Sequence, residues 1–183
     1  MIYVVRHGQS IWNAENRIQG HGQCPLSELG IAQATNAAPT IAKLPIKTFY
    51  CSDLLRAKQT AEIFNTHLNL SIIFDKRLRE YNTGTDYQGK LLDERPADFK
   101  EFPNKYKGES SRDVFIRVKD FLDDLKQKQS DDALIVTHEG VMAMMCYIID
   151  NPKITSDKIP TTYSCLSQYK TFKNCEVLKV SFP

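Results

Sequence analysis

The chain has 183 residues, 42% of them hydrophobic and 25% charged, enough for one well-filled core, and no shift in composition divides it, so we expect a single domain over 1–183. With 24 Lys and Arg against 22 Asp and Glu, the net charge of +2 carries neither the basic footprint of a nucleic-acid binder nor an acidic tail, and no apolar run is long enough to span a bilayer. The chain enters a strand with no export signal, and its five scattered cysteines (Cys24, Cys51, Cys146, Cys165, Cys175) lack the close pairing of structural zinc, so free thiols in a cytoplasmic protein with a small partner are expected.

Ile2 to Val5 is an apolar, β-branched run that fits a buried strand and stops abruptly at Arg6-His7-Gly8. That sets a guanidinium and an imidazole at the carboxyl end of a strand, the edge where open α/β sheets bind ligands, and Gly8 removes a Cβ that would keep backbone N–H groups from an anion. Arginine grips phosphate oxygens in a planar fork, and a neutral imidazole can attack phosphorus. Nearby positive charge depresses the imidazole pKa and keeps the ring neutral near pH 7. The same triplet also fits a histidine that merely caps a turn.

Asn13 to Pro25 is polar and turn-rich, with Asn13, Arg17, Gln19, Gly20, His21 and Gly22 forming a loop over the strand end. Ser27 suits the N-cap of a helix carrying Leu29, Ala32, Gln33 and Ile41, broken or kinked near Pro39 and ended before Pro45. Thr48 to Cys51 reads as a second strand, and Ser52 and Asp53 suit the start of a helix running to about Leu70. Arg56 then falls in the first helical turn, where a cation opposes the macrodipole unless an anion lies nearby for both to share; otherwise it is an exposed arginine at small cost.

Ser71 to Phe74 is a third strand leading into Arg77 to Gly84. Thr85 to Gly108 is the least regular stretch, with Lys90, Arg95, Lys100, Lys105 and Lys107 interleaved with Tyr87, Phe99, Phe102 and Tyr106, as in a lid or, equally, a solvated amphipathic helix. Ser110 and Asp113 have capping-box spacing and open a helix with Val114, Val118, Phe121, Leu122 and Leu125 up to Lys128. Ala133 to Val136 is a fourth strand, ending in Thr137-His138-Glu139-Gly140, and Val141 to Ile149 continues as a buried helix whose methionines fill core. Tyr163 to Tyr169 and Glu176 to Phe182 resemble the strands of a terminal hairpin turned at Lys173-Asn174. Strands alternating with helices predict a three-layer α/β/α sandwich with a mainly parallel sheet and a small lid insertion, 85–108.

Two strands thus end alike, at His7 and at His138. If they are neighbours in a parallel sheet, both imidazoles project from one edge, and with Arg6 and Arg56 they form a pocket matched to the charge of a phosphoryl group in a loose transition state. Such a site needs a proton for the leaving oxygen, and Glu80 is the best-placed carboxylate, since a bound phosphate dianion would raise its pKa and hold it as an acid. The duller account of Glu80 is a surface ion pair with Arg77 or Arg79, worth at most about 1 kcal/mol.

Arg6-His7-Gly8-Gln9-Ser10 with Asn13 and Arg17, then Pro25-Leu26-Ser27 with Gly30 and Gln33-Ala34, resemble the opening of the histidine phosphatase superfamily, the phosphoglycerate mutase-like group. Ser52-Asp53-Leu54 with Arg56 and Thr60-Ala61, Leu78-Arg79-Glu80, Gly108-Glu109-Ser110 and Val136-Thr137-His138-Glu139-Gly140 follow in that family's order, so the resemblance runs to about Ile149. It implies that His7 is a nucleophile that becomes phosphohistidine, that Arg6, Arg56 and His138 hold the phosphoryl oxygens, and that Glu80 is general acid and then base. It also implies that Asn13 lines the phosphate pocket, that Gln19 and Gly20 meet the rest of a small phosphorylated metabolite, and that no metal or other cofactor is needed.

A mutase of this family must hold a bisphosphate and exclude water, and its lid carries paired arginines. Thr85 to Gly108 has no Arg-Arg pair, which favours a phosphatase of small phosphomonoesters over a cofactor-dependent phosphoglycerate mutase. The chain departs from the family in having Tyr87 where an indole is usual and Glu139 where a small residue is common. Glu139 adds negative charge beside the phosphate site, which also leaves open a phosphate- or phosphoprotein-binding module without turnover.

Overall fold

Alternate residues of a strand face opposite ways, and in the central strands of this protein both ways are apolar, so the sheet must be covered on both faces. The computed structural model describes residues 1–101, 103–128, 132–162 and 170–181. Its strands are β1 (Ile2–Arg6), β2 (Thr48–Cys51), β3 (Ile72–Phe74), β4 (Ala133–Thr137) and β5 (Val177–Val180), in the sheet order β3-β2-β4-β1-β5. The first four run parallel, and β5 pairs antiparallel with β1. The helices are α1 (Ile11–Ala14), α2 (Glu28–Ile41), α3 (Leu55–Leu68), α4 (Ser111–Gln127) and α5 (Glu139–Asp150).

Ile2 and Val4 of β1, Tyr50 of β2 and Ala133 and Ile135 of β4 pack under α4 and α5. Tyr3, Val5, Phe49, Cys51, Leu134 and Val136 face the other way, against α2 and α3. The expected three-layer α/β/α sandwich is therefore the observed fold. The antiparallel edge strand within 176–182 is present, whereas the other half of the expected hairpin, 163–169, lies outside the described residues. None of the described helices is long and apolar enough to cross a membrane.

Three local expectations are corrected. The helix α2 runs unbroken through Pro39, which sits near its end; only Thr35 loses a hydrogen-bond partner there, and Thr35 and Pro39 both face water. Its buried face is Gly30, Ala34, Ala38 and Ile41 rather than Leu29 and Ala32, which are exposed. Ser52 and Asp53 do not cap α3; Leu54 takes the N-cap position with no side-chain hydrogen bond, and the two polar residues are used elsewhere. By contrast, Ser110 and Asp113 form the expected capping box on α4, and Val114, Val118, Phe121, Leu122 and Leu125 are all buried.

The insertion 85–108 is not an amphipathic helix. Its described residues form short 3₁₀ turns at Thr85–Tyr87, Leu92–Glu94 and Pro103–Tyr106 around a small aromatic core, with Phe99 buried against Tyr87 and Tyr106. It is laced to the loop after α1 by backbone bonds from Ile18 N to Lys90 O, Gly89 N to Ile18 O and Leu92 N to Asn16 O, at 2.8, 2.8 and 3.2 Å. The indole of Trp12 is wedged between the two, leaving no room for a Cβ on Gly22 and little on Gly89.

The first turn of α2 presses directly on the loop that follows β1. A Cβ at Gly30 would overlap the carbonyl of Gln9, and one at Gly8 would meet the Gly30 carbonyl oxygen at 2.5 Å. Gly30→Ala is therefore expected to destabilise the protein despite a helix-propensity gain of about 1 kcal/mol, because overpacking against backbone costs about 1–3 kcal/mol. A lowered urea midpoint, lower still in Gly30→Val, is the expected outcome; an unchanged midpoint would show that the helix is free to move off the loop.

Candidate functional site

Three neighbouring parallel strands end close together, and the residue after each carries a polar side chain. Arg6 is paired with Thr137 and Cys51 with Val136, so His7 and His138 lie level across β1 and β4, and Ser52 of the β2 end stands one residue behind them. The two imidazoles are buried with ring centroids 5.0 Å apart at 61°. The Ser52 hydroxyl lies 2.8 Å from His138 Nε2, which is the use found for a residue expected to cap α3.

His7 is held in one orientation. Its Nδ1 donates to the carbonyl of Gly8 at 2.6 Å, which places the lone pair on Nε2, and Nε2 accepts from Arg56 Nε at 3.2 Å. Burial, then the Arg56 and Arg6 charges, hold its pKa well below the usual histidine value, so the ring is neutral at pH 7. Burial, Arg56 and His7 do the same to His138. Ser52 Oγ also accepts from Leu54 N at 3.4 Å, and His138 Nδ1 is a buried atom without a protein partner.

Arg56 sits in the first turn of α3, as expected from the sequence, but it is 1% exposed rather than a surface charge. Besides His7 it donates to Gly22 O at 3.1 Å and Gly20 O at 3.0 Å, so one guanidinium joins the helix, the imidazole and the loop. Burial pushes its pKa down to about 10, with the Glu80 carboxylate working the other way, and it remains a cation at neutral pH. Gly20 adopts φ +50, and its contribution is this carbonyl. Gly8 differs from expectation: its N–H donates to Thr60 Oγ1 at 3.0 Å, and its missing Cβ makes room for α2 rather than for an anion.

The remaining expected residues converge on the same cleft of about 270 Å³, lined by Arg6, His7, Asn13, Gln19, Gly20, Arg56 and Glu80. His138 lies against His7 and does not itself line the cleft. Asn13 Oδ1 accepts from Ser10 N at 3.2 Å in a capping box, and Gln19 Oε1 accepts from Ser10 Oγ at 2.7 Å, so each amide keeps its NH₂ for other partners. Arg6 reaches Phe172 O at 2.5 Å and Glu139 at 3.1 Å, while its buried Nε has no partner. Glu80 belongs to neither surface ion pair considered from the sequence, since Arg77 pairs with Asp75, Asp120 and Asp124, and Arg79 with Asp53. Its carboxylate instead accepts from Tyr81 N at 3.0 Å and from Gly140 N, at the start of α5, at 3.2 Å.

Sequence reasoning named Ser52, Thr60, Asn174, Arg17 and Arg95 only within motifs, a turn, a loop and the lid and gave none of them, nor Trp12, a site role, yet all line or brace the cleft. For Ser52 a signal existed, because it follows a strand end just as the two histidines do. Asn174, which donates to His7 O at 2.8 Å across 167 residues, had none.

Two neutral buried histidines make stability depend on pH with a defined sign. The unfolded chain takes up protons near pH 6.5 that the folded protein cannot accept until much lower pH, so stability should fall as pH drops below about 6.5. The limiting slope is about 1.4 kcal/mol per pH unit for each histidine. Urea unfolding from pH 7.5 to 5 should show this decline, with a shallower slope in His138→Gln; equal slopes in both proteins would refute the neutral assignment.

A family model described as histidine phosphatase superfamily (branch 1) matches residues 2–181. The probable phosphoglycerate mutase GpmB of Yersinia pestis (strain Pestoides F) is 42% identical over 97 residues, which are 53% of this chain and 42% of that protein, so the match covers less than half the length of that curated relative. Among solved structures, Bacillus stearothermophilus YhfR is 29% identical with a TM-score of 0.79, over 96% of this chain and 88% of that one. A mycobacterial glucosyl-3-phosphoglycerate phosphatase in complex with VO3 is 26% identical with a TM-score of 0.77, over the same shares. With a family model spanning nearly the whole chain, the protein belongs to the histidine phosphatase superfamily.

Proposed function

We propose that this protein is a phosphatase that hydrolyses small phosphomonoesters through a phosphohistidine on His7. The observation that carries the reading is the fixed tautomer of His7: Nδ1–H donates to Gly8 O, which puts the lone pair on Nε2 at the cleft, where it accepts from Arg56 Nε until phosphorus replaces that contact. In this reading Nε2 attacks phosphorus in line with the ester oxygen, the P–O bond breaks, and Glu80 delivers its proton to the departing alkoxide. Glu80, now a carboxylate, takes a proton from water, whose oxygen displaces Nε2 and releases inorganic phosphate. Arg6 Nε, buried without a protein partner, and the free donors of Arg56 supply hydrogen bonds to the phosphoryl oxygens, while His138 packs against His7 behind the cleft. Charge stabilisation is thus assigned to side chains rather than to a metal.

The leaving group would occupy the outer half of the cleft, where Arg17 and Arg95 stand with Trp12 and Leu92. Two guanidiniums suit an alcohol that bears its own anionic group, which also gives a mutase reading its support, together with the name of the Yersinia relatives. The experiment that separates the readings incubates wild type and His7→Ala with 3-phosphoglycerate, glycerol phosphate and sugar phosphates, following released phosphate and acid-labile phosphoenzyme. Release that falls by roughly 10³-fold or more in His7→Ala supports hydrolysis, with a loss of about 10²–10⁴-fold in Glu80→Gln. Isomerisation of phosphoglycerate without release would establish the mutase instead, and binding without turnover would remove both.

Glu139 competes with phosphate for Arg6, since its carboxylate lies 3.1 Å from the guanidinium and lines the cleft. Glu139→Gln should therefore strengthen inhibition by inorganic phosphate by up to about fivefold, which is what an ion pair of ~1 kcal/mol amounts to. Weaker inhibition in the variant would mean that Glu139 orients Arg6 instead of competing for it.

A further inference from the structure

Glu80 lies in an extended stretch between the 3₁₀ turn Lys76–Leu78 and the lid, a segment with no regular structure of its own to fix it. Its backbone is held from outside by two mostly buried side chains, Arg117 of α4 and Glu109, which precedes α4; their side chains are 16% and 21% exposed. Arg117 donates to Arg77 O at 2.7 Å and to Glu80 O at 3.0 Å. The same guanidinium grips Glu109 in a bidentate pair at 2.8 and 3.0 Å, and Glu109 Oε2 accepts from Asn82 N at 2.8 Å. One arginine–carboxylate fork therefore holds the chain on both sides of the Glu80 carboxyl.

A third group, from the loop after α1, closes the arrangement. His21 Nε2 lies 2.8 Å from Glu80 O and 3.7 Å from Glu109, and His21 sits between Gly20 and Gly22, whose carbonyls hold Arg56. The segment bearing Glu80 and the loop bearing the Arg56 acceptors are thus tied at one point. A guanidinium suits this task because it can serve two carbonyls and a carboxylate in one plane, whereas a lysine ammonium cannot reproduce that fork.

We propose that Arg117, Glu109 and His21 are positioning residues that set where the Glu80 carboxyl meets the leaving oxygen. The proposal rests on the reading of Glu80 as proton donor given above. Proton transfer needs its donor within hydrogen-bond reach of the leaving atom, and a displacement of about 1 Å is enough to lose most of its contribution. The clamp pairs one positive with one negative charge, so it places the acid without altering the net charge near the cleft.

The test uses leaving groups of different acidity. Dinitrophenolate departs without a proton, whereas an alkoxide requires one, so a misplaced acid harms alkyl phosphates far more than dinitrophenyl phosphate. Phosphoenzyme formation is measured in single turnovers with both esters for wild type, Arg117→Lys, Glu109→Gln, His21→Ala and Glu80→Gln. The expected result is a loss of roughly 10- to 100-fold with the alkyl ester in Arg117→Lys and Glu109→Gln, at least tenfold larger than with the dinitrophenyl ester, with KM nearly unchanged. His21→Ala, which removes a single contact and leaves the fork in place, should show the same selectivity at smaller amplitude. Equal losses on both esters across these variants, or no loss with the alkyl ester, would overturn the clamp. If Glu80→Gln itself fails to discriminate between the esters, the assignment of the acid falls, and the clamp with it.

Discussion

The site depends on the register between β1 and β4. Because Arg6 lies opposite Thr137, the next residue on each strand is a histidine, and the two rings come to rest 5.0 Å apart at the carboxyl edge of the sheet. A slip of one residue would turn β1 over, sending Ile2 and Val4 into the layer now filled by Tyr3 and Val5 and separating the imidazoles. Both faces of these strands are packed, so such a slip would misplace four apolar side chains at once. Hydrophobic burial far from the cleft thus fixes where its polar groups meet.

On this frame the buried Arg56 guanidinium decides the shape of the cleft. Taking such a cation out of water costs several kcal/mol, and at the start of α3 the helix dipole adds to the cost. The loop carbonyls of Gly20 and Gly22 offset part of it with charge-assisted hydrogen bonds worth about 1.5–3 kcal/mol each. The unusual left-handed backbone of Gly20 follows from that demand: the chain must turn its carbonyl inward, and a side chain there would strike Thr83. A cation that is costly to bury is also one whose remaining N–H groups gain from meeting an anion, which is the condition a phosphoryl group meets under the proposed reading.

What could be read from the sequence was what local pattern controls. Apolar runs that stop at Arg6-His7 and Thr137-His138, the capping box at Ser110, and the periodicity of α4 each carry their signal within a few residues, and the three-layer fold followed from their alternation. The cleft residues Asn13, Gln19, Arg56 and Glu80 were found because they accompany recognisable motifs. Arg117 and Asn174 escaped because they bond distant backbone carbonyls, and a side chain that bonds backbone leaves no complementary residue to look for. The buried face of α2 was misread for a related reason: its first turn lies so close to the β1 loop that glycine and alanine, not leucine, form the contact.

The segment 172–175 fastens the first strand from the far end of the chain. Phe172 O accepts a hydrogen bond from Arg6, Asn174 donates to His7 O, and Cys175 N donates to Arg6 O, across separations of 166 and 167 residues for the first two. A ribosome feeds out residue 6 long before residue 172, so during synthesis the nascent β1 waits without its antiparallel neighbour and without these three bonds. Its imidazole and guanidinium would stay loosely held until that stretch emerges. The polypeptide therefore completes the corner that holds His7 and Arg6 late in its own making, when the rest of the sheet has already had time to assemble.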